Sequence, residues 1–306
     1  MHIPVLLQPI LDHLLPAARV IDGTVGAGGH SAALLQGGAG VLLGFDLDPT
    51  AIRLATDRLA PFGDRAHIVH ASYADMRLEA ERIGWSDGVD AILLDLGVSS
   101  MQFDTPERGF SFRADAPLDM RFDPDAGGRS AADLINTLDQ DDLADLIFRY
   151  GEERESRRIA RAILRARPLT TTAALAAVIE RALPRHGDAI HPATRTFQAL
   201  RIAVNDELGV VERALPQAID LLRPGGRLAV ISFHSLEDRL VKDAFRRAAT
   251  DCICPPKIPV CVCGHRASVE LLTRKPIVAD EAEITHNARS RSAKLRVVRK
   301  RDAGTR

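Results

Sequence analysis

Cysteine is scarce, and all four copies lie between Cys252 and Cys263. A set so confined cannot staple a fold of 306 residues. In a reducing compartment it reads as plain thiols or a structural metal site before disulfides. Long apolar runs are missing too: none reaches the ~20 residues that a membrane span requires. The opening Met1-His2-Ile3-Pro4 lacks the basic and apolar regions of a signal peptide. The expectation is a cytoplasmic protein without a membrane partner. Net charge is almost absent, since 40 basic residues face 41 acidic ones for a formal −1. Any surface for a polyanion must therefore be sought segment by segment. With 46% hydrophobic and 26% charged residues, the chain can bury roughly three quarters of its extended surface. A secreted miniprotein, a membrane protein and a disordered chain are excluded, and one large domain or two modest ones are allowed.

The first hundred residues alternate short apolar runs with helical patterns. Arg19-Val20-Ile21-Asp22, Val41-Leu42-Leu43-Gly44-Phe45-Asp46, His67-Ile68-Val69-His70 and Ala91-Ile92-Leu93-Leu94-Asp95 are the strand candidates. They are apolar throughout, which suits strands covered on both faces in a parallel doubly wound sheet. From about 105 to 125 the sequence is polar and aromatic, broken by Pro106, Gly109, Pro117 and Pro124. Helices follow to about 183. A long helix is expected from near Pro192, where Phe197, Leu200, Val204 and Leu208 recur at helical spacing. Pro224-Gly225-Gly226 should end the helical region before a fifth strand, Arg227-Leu228-Ala229-Val230-Ile231-Ser232. Ser235 with Asp238 reads as a capping pair for the next helix. Weaker strand signals at 269–273 and 294–299 would close the sheet. The economical reading is one α/β domain split by a helical insert at about 105–192.

Asp22-Gly23-Thr24-Val25-Gly26-Ala27-Gly28-Gly29-His30 joins the first strand to its helix. Glycines there permit positive φ and close approach of a ligand to bare backbone beside unpaired helical N–H groups. A phosphate-binding loop needs Lys after its last glycine, and this chain lacks one there. The dinucleotide fingerprint, starting at Gly26, wants Gly or Ala where Ser31 stands. S-adenosylmethionine remains, with ammonium, carboxylate and ribose to contact. Asp46, at the carboxyl end of the second strand, suits ribose hydroxyls, though that residue alone also fits NAD. Asp95, ending the fourth strand in Asp95-Leu96-Gly97-Val98-Ser99-Ser100, could orient a methyl acceptor, contact the cofactor, or simply cap a turn.

These segments resemble the MraW/RsmH family, together with Arg108-Gly109-Phe110-Ser111-Phe112, Pro117-Leu118-Asp119-Met120-Arg121, Tyr150-Gly151-Glu152-Glu153-Arg154, His191-Pro192-Ala193-Thr194-Arg195-Thr196-Phe197-Gln198 and Ile231-Ser232-Phe233-His234-Ser235-Leu236-Glu237-Asp238-Arg239. The family comprises bacterial S-adenosylmethionine-dependent methyltransferases that modify N4 of a cytidine in the decoding centre of 16S ribosomal RNA. The resemblance implies a Rossmann-like class I methyltransferase sheet at 1–104 and 193–306, with a helical substrate-recognition domain inserted at 105–192. It implies S-adenosyl-L-methionine as cofactor and 16S ribosomal RNA as partner, within the small ribosomal subunit, and leaves a homodimer open. Carried over by motif, Gly28, Gly29 and His30 resemble the cofactor turn and Asp46 the ribose ligand. Tyr73, where the family often has Phe, flanks the adenine. Asp95 and Gln102 match further cofactor positions, and Asp95 is the candidate catalytic group.

Methyl transfer to an exocyclic amine needs alignment and an acceptor for the amino hydrogens. The Asp95-Leu96-Gly97-Val98 run departs from the (Asp/Asn/Ser)-Pro-Pro-aromatic motif of many amino-methyltransferases. A carbon-5 methyltransferase would need a cysteine nucleophile near that strand end, and none stands there. His234 could accept a proton, touch RNA, or be a satisfied strand-end histidine. Arg154, Arg158, Arg161 and Arg165 form one helical stripe, with Ile159, Ile163 and Ala166 facing inward. Arg289, Arg291, Lys294, Arg296, Arg299, Lys300 and Arg301 form a second basic set; both could meet phosphates or form internal pairs. Phe110, Phe112 and Phe122 could stack bases or cover a core. Cys252-Ile253-Cys254 and Cys261-Val262-Cys263, with His265 after them, resemble a metal-binding arrangement. Their one-residue gaps are shorter than the two to four usual in structural zinc sites, so no metal is assigned. The rival functions are a small-molecule methyltransferase, a nicotinamide-dependent oxidoreductase, and a non-catalytic RNA-binding protein.

Overall fold

The computed structural model describes residues 4–183, 191–255 and 260–302, with the backbone alone at Ser100; residues 1–3, read above for targeting, lie outside these. Two compact units are present, Met1–Gly97 with Leu208–Arg306, and Val98–Glu207. The second is wider than 105–192 at both ends.

The first unit opens with α1 (Leu7–Leu14), β1 (Arg19–Asp22), α2 (Gly29–Gln36), β2 (Val41–Asp46), α3 (Pro49–Leu59), β3 (Ala66–His70), α4 (Met76–Arg82) and β4 (Val89–Asp95). The helical unit holds α5 (Ser100–Asp104), α6 (Ala131–Thr137), α7 (Gln140–Gly151), α8 (Ser156–Ala166), α9 (Thr172–Ala182) and α10 (Thr194–Asn205). The chain continues through α11 (Glu207–Leu221), β5 (Leu222–Ser232), α12 (Ser235–Ala248), β6 (Val269–Leu271), β7 (Ile277–Val278), α13 (Glu281–His286) and β8 (Lys294–Lys300).

The sheet runs β3-β2-β1-β4-β5-β8-β6, with β7 also paired to β8. β1 to β5 are mutually parallel; β8 is antiparallel to β5, β6 and β7. This is the expected Rossmann-like sheet. Strand order reverses between β1 and β4, and at such a switch point a crevice opens beyond the carboxyl strand ends. Successive side chains go to opposite faces. Ile21, Leu43, Phe45, Ile92 and Leu94 join Trp85, Leu215 and Phe245 in one core. Val20, Leu42, Leu93 and Ile231 join Ile10, Leu34 and Leu59 in the other. Because both faces are covered, the strands read as unbroken apolar runs.

Three local expectations are corrected. The helix expected from Pro192 through Leu208 breaks: Asp206 adopts φ 49° and caps α10, a conformation that Asp tolerates. A bidentate pair between Arg201 and Glu207, at 2.7 and 2.9 Å, pins that turn. β5 begins before Pro224-Gly225-Gly226 rather than after it. Leu222 pairs with Val89 and Arg227 with Ala91, so the residues between them bulge out of the ladder. At the start of α12 the capping pair is His234 with Glu237. Asp238 turns instead to Arg296 at 2.7 Å and Lys294 at 3.4 Å.

In the helical unit, Ile135, Ile147, Ile159, Ile163, Ile179 and Leu200 form a separate core. α8 carries Arg158, Arg161 and Arg165 exposed, as is Arg154 just before it, while Ile159 and Ile163 are buried. The aromatic segment packs inward: Phe110 stacks on Phe122 at 5.8 Å, and Phe112 meets Phe197 edge-on at 4.9 Å.

Burial separates two leucines of the first unit. Leu93, at 0% exposure in the centre of the sheet, should cost about 2–5 kcal/mol when replaced by Ala. Leu78 is 49% exposed, and Leu78→Ala should cost no more than about 0.5 kcal/mol. Urea unfolding measures both; equal losses would contradict the assignment of the core.

Candidate functional site

The turn between β1 and α2 is bound to the strand ends on both of its sides. Toward β2, Val25 N–H donates to the Phe45 carbonyl at 2.8 Å, and Gly26 N–H donates to Asp46 Oδ2 at 2.9 Å. Toward β4, Gly23 N–H donates to the Leu93 carbonyl at 2.9 Å, and Asp95 N–H donates to the Thr24 hydroxyl at 2.7 Å. The turn is braced from beneath by buried Asp22, which accepts from the Ser31 hydroxyl at 2.6 Å and Thr24 N–H at 3.1 Å. Burial raises the Asp22 pKa against these donors.

The glycines answer to distinct demands. Gly28 has φ +75°, and a Cβ there would lie 3.3 Å from the Ala55 backbone on α3. A Cβ on Gly23 would lie 2.4 Å from Leu94 Cδ2 and 3.0 Å from Tyr73 Cβ. The bare Gly23 backbone therefore lets Tyr73, from the 3-10 turn after β3, pack against the loop. At Gly29 a Cβ would approach Pro4 to 2.9 Å.

Asp46 and Asp95 end β2 and β4, the strands on either side of β1, and both titrate high, for one cause with different corrections. Burial pushes Asp46 up to about 6 while the backbone N–H groups of Asp48 and Gly26 pull it back. Both of its oxygens are engaged, since Asp48 N–H donates to Oδ1 at 2.9 Å. Burial likewise pushes Asp95 up to about 6; the His30 ring opposes this, and Asp22 and Glu237 reinforce it. His30 bonds the Val5 carbonyl through Nε2 at 2.9 Å and places Nδ1 3.6 Å from Asp95 Oδ2. Asp95 Oδ1 is shut off from solvent and has no hydrogen-bond partner among the described residues. A desolvated acceptor without a donor costs free energy, which a ligand donor placed there would recover. Three carboxylates at one sheet edge favour hydroxyls, amines and positive charge over phosphate.

Gly28, Gly29, His30, Asp46, Tyr73 and Asp95 thus belong to one cluster in the first unit. Gln102 belongs to the helical unit, where its side chain and backbone form a capping box with Ser99 at the start of α5. The sequence reading passed over Thr24, which accepts from Asp95, and Ser31, weighed only as a break in a fingerprint. It also passed over Glu237, 1% exposed, which accepts from Phe233 N–H at 2.8 Å and His234 N–H at 3.4 Å. A three-residue spacing from His234 to Glu237 was the available signal. His234 caps α12, where Nδ1 accepts from Glu237 N–H at 3.4 Å. Its Nε2 lies 3.1 Å from Glu237 Oε1 without hydrogen-bond alignment.

Of the C-terminal basic set, Lys294 and Arg296 pair with Asp238, and Arg299 with Glu270 at 2.5 Å. Lys300 donates to the Ile219 carbonyl at 2.8 Å. For these four, internal pairing is the reading the structure supports. No described helix is long and apolar enough to cross a membrane.

The sequence matches the MraW methylase family over residues 1–301. It is 52% identical over 310 residues to ribosomal RNA small subunit methyltransferase H of Nitratidesulfovibrio vulgaris, covering 98% of this chain and 86% of that one. The protein of the same name from Dehalococcoides mccartyi is 54% identical over 301 residues, with 97% and 85% covered. That from Citrifermentans bemidjiense is 52% identical over 308 residues, with 98% of both covered.

The Asp95 environment predicts a stability gain on removing its charge. Its folded pKa, about 6, lies above the unfolded 3.8, so the ionised form burdens the folded state above pH 6. That burden fades as pH falls from the folded toward the unfolded value, because only the folded protein takes up the proton. Asp95→Asn, isosteric and uncharged, should therefore be stabler by roughly 1–3 kcal/mol near neutrality and level with the parent near pH 4. Urea unfolding across that range reads the difference; a neutral-pH loss would contradict the placement of Asp95.

Proposed function

The chain belongs to the MraW methylase family, and we propose that it transfers a methyl group from S-adenosylmethionine to N4 of a cytidine in the decoding centre of 16S ribosomal RNA. Family membership and the names of the relatives support methylation of small-subunit ribosomal RNA with S-adenosylmethionine as donor. The reading is carried by the solvent-shielded Asp95 Oδ1, which awaits a donor beside the glycine turn. When bound, S-adenosylmethionine supplies a sulfonium-activated methyl group to an amine attacking in line.

The residues present fit that cofactor. Asp46, aimed by the N–H groups of Gly26 and Asp48, keeps lone pairs to accept from ribose hydroxyls. The Tyr73 ring, packed against Gly23 of the turn, would flank the adenine. The turn through Gly28, Gly29 and His30 offers backbone and a ring to the aminoacyl end, in a carboxylate-rich field that suits a cation. Asp95 Oδ1 accepts from the acceptor's amino group. That bond draws density onto N4, whose lone pair is otherwise delocalised into the ring. A carboxylate with a pKa of about 6 is also basic enough to take the proton that N4 sheds once it is methylated. His30 Nδ1 stands 3.6 Å from Oδ2, which leaves Oδ1 as the oxygen for the acceptor. In the helical unit, Arg154, Arg158, Arg161 and Arg165 are exposed, and they supply the charge that a phosphate backbone requires.

Calorimetry and RNA analysis test the reading together. S-adenosylmethionine should bind, NAD should give no heat, and Asp46→Ala should weaken the former by roughly 10–100-fold, the loss of a charged hydrogen bond. Ribosomal RNA from a deletion strain should lack N4 methylation at one cytidine, restored by the parent gene and not by Asp95→Ala. An unchanged cytidine modification profile in the deletion strain would sink the substrate assignment, and preferential NAD binding would sink the cofactor.

A further inference from the structure

Between α12 and β6 the chain makes a long excursion with neither helix nor strand among its described residues. Its base is closed by Ser268 N–H donating to the Ala248 carbonyl at 2.8 Å and Ala267 N–H donating to Asp251 at 3.1 Å. Beyond that base it has little apolar material to bury: Val260 is 70% and Val262 76% exposed. A segment of this length without a core of its own needs another source of cohesion.

Four sulfurs converge there. Cys252 Sγ lies 3.4 Å from Cys261 Sγ and 3.9 Å from Cys263 Sγ. Cys261 Sγ lies 4.0 Å from Cys254 Sγ and 3.6 Å from Cys263 Sγ. All four fall within 4.8 Å of one another. Zinc–sulfur bonds of about 2.3 Å at tetrahedral angles set sulfurs about 3.8 Å apart. The four quoted separations scatter on both sides of that value. No pair is singled out as a disulfide, whose sulfurs sit about 2.05 Å apart, and all four cysteines are free. The backbone is arranged reciprocally around them. Ile253, between the first two cysteines, donates N–H to Cys263 Sγ at 3.5 Å; Val262, between the last two, donates to Cys254 Sγ at 3.4 Å. Such N–H donors offset the negative charge that four thiolates accumulate on a metal. His265 is occupied elsewhere, its Nε2 lying 2.8 Å from the Arg247 carbonyl.

We propose that Cys252, Cys254, Cys261 and Cys263 bind one zinc ion as a closed tetrathiolate that fixes the excursion between α12 and β6. The short gaps within each pair are no obstacle, because each two-cysteine arm supplies one edge of the tetrahedron and the arms face each other. A soft, tetrahedral, all-sulfur set selects zinc over magnesium or calcium, and a full shell leaves no open position for a substrate. The site is structural and independent of the methyl-transfer reading.

Full-length protein from zinc-supplemented cells, purified without chelator, should carry about one zinc per chain. A mercurial should release that zinc as the four thiols become reactive. Cobalt added to the reduced, metal-free protein should give the visible absorption of a tetrahedral tetrathiolate, a readout that needs no variant. Cys252→Ser combined with Cys261→Ser should lower zinc content at least roughly tenfold, whereas His265→Ala should leave it unchanged. Four freely titrating thiols with no zinc, disulfides in non-reduced mass spectra, or iron in place of zinc would each overturn the assignment.

Discussion

The loop after β1 is the constraint on which the site depends, because it is hydrogen-bonded to strands on either side of the switch point. Gly26 N–H holds Asp46 at the end of β2, and the Thr24 hydroxyl holds the backbone of Asp95 at the end of β4. The loop thus acts as a gauge that spaces two carboxylates across the crevice. Asp22, fully buried below it, is the brace, and its own desolvation is the cost of rigidity. Three partly or wholly desolvated carboxylates within one edge carry an unrelieved desolvation cost. Such stored cost is expected where a ligand later completes the hydrogen bonding.

Much of this was legible. Apolar runs announced strands covered on both faces, and the glycines announced the turn. What escaped detection depended on tertiary context. The apolar spacing through Phe197, Leu200, Val204 and Leu208 crosses the α10–α11 break without a mark, because one Asp at positive φ ends a helix while leaving the hydrophobic rhythm intact. The capping pair at α12 shifted by one residue because Asp238 was claimed by Arg296 and Lys294, partners more than fifty positions away in the chain. Thr24 and Glu237 carry no special pattern; they matter only because folding brings Asp95 and the Phe233–His234 backbone to them.

The motifs that carry the family resemblance outside the cofactor turn serve largely as architecture. Met120 N–H donates to the Arg108 carbonyl at 3.0 Å, and the Arg108 side chain donates to the carbonyls of Arg121 and Phe122. A Cβ on Gly109, at φ +74°, would lie 2.3 Å from the Pro117 carbonyl oxygen. The two segments therefore clasp each other. Tyr150-Gly151 engages the 191–198 motif the same way: Gln198 donates to the Tyr150 carbonyl at 3.0 Å, and a Cβ on Gly151 would lie 2.6 Å from that of Arg195. Charge divides similarly. The arginines at 154, 158, 161 and 165 have no ion pair among the described residues, while Lys294, Arg296 and Arg299 are bound to carboxylates. The former set therefore presents its charge without a carboxylate partner among the described residues.

Asp46 and Asp95 show how one shift serves two purposes. Burial brings both to about 6, yet a proton must sit on a particular oxygen. On Asp46 each oxygen already faces a backbone N–H, so protonation sets a new O–H among donors, and the group is best used as a fixed acceptor. On Asp95 one oxygen lies 3.6 Å from His30 Nδ1 and the other has no hydrogen-bond partner among the described residues, so a proton arriving at Oδ1 meets no competing donor. Basicity alone does not separate a binding carboxylate from a chemical one; the occupancy of the individual oxygens does, and it differs between Asp46, with both oxygens engaged, and Asp95, with Oδ1 unpartnered among the described residues.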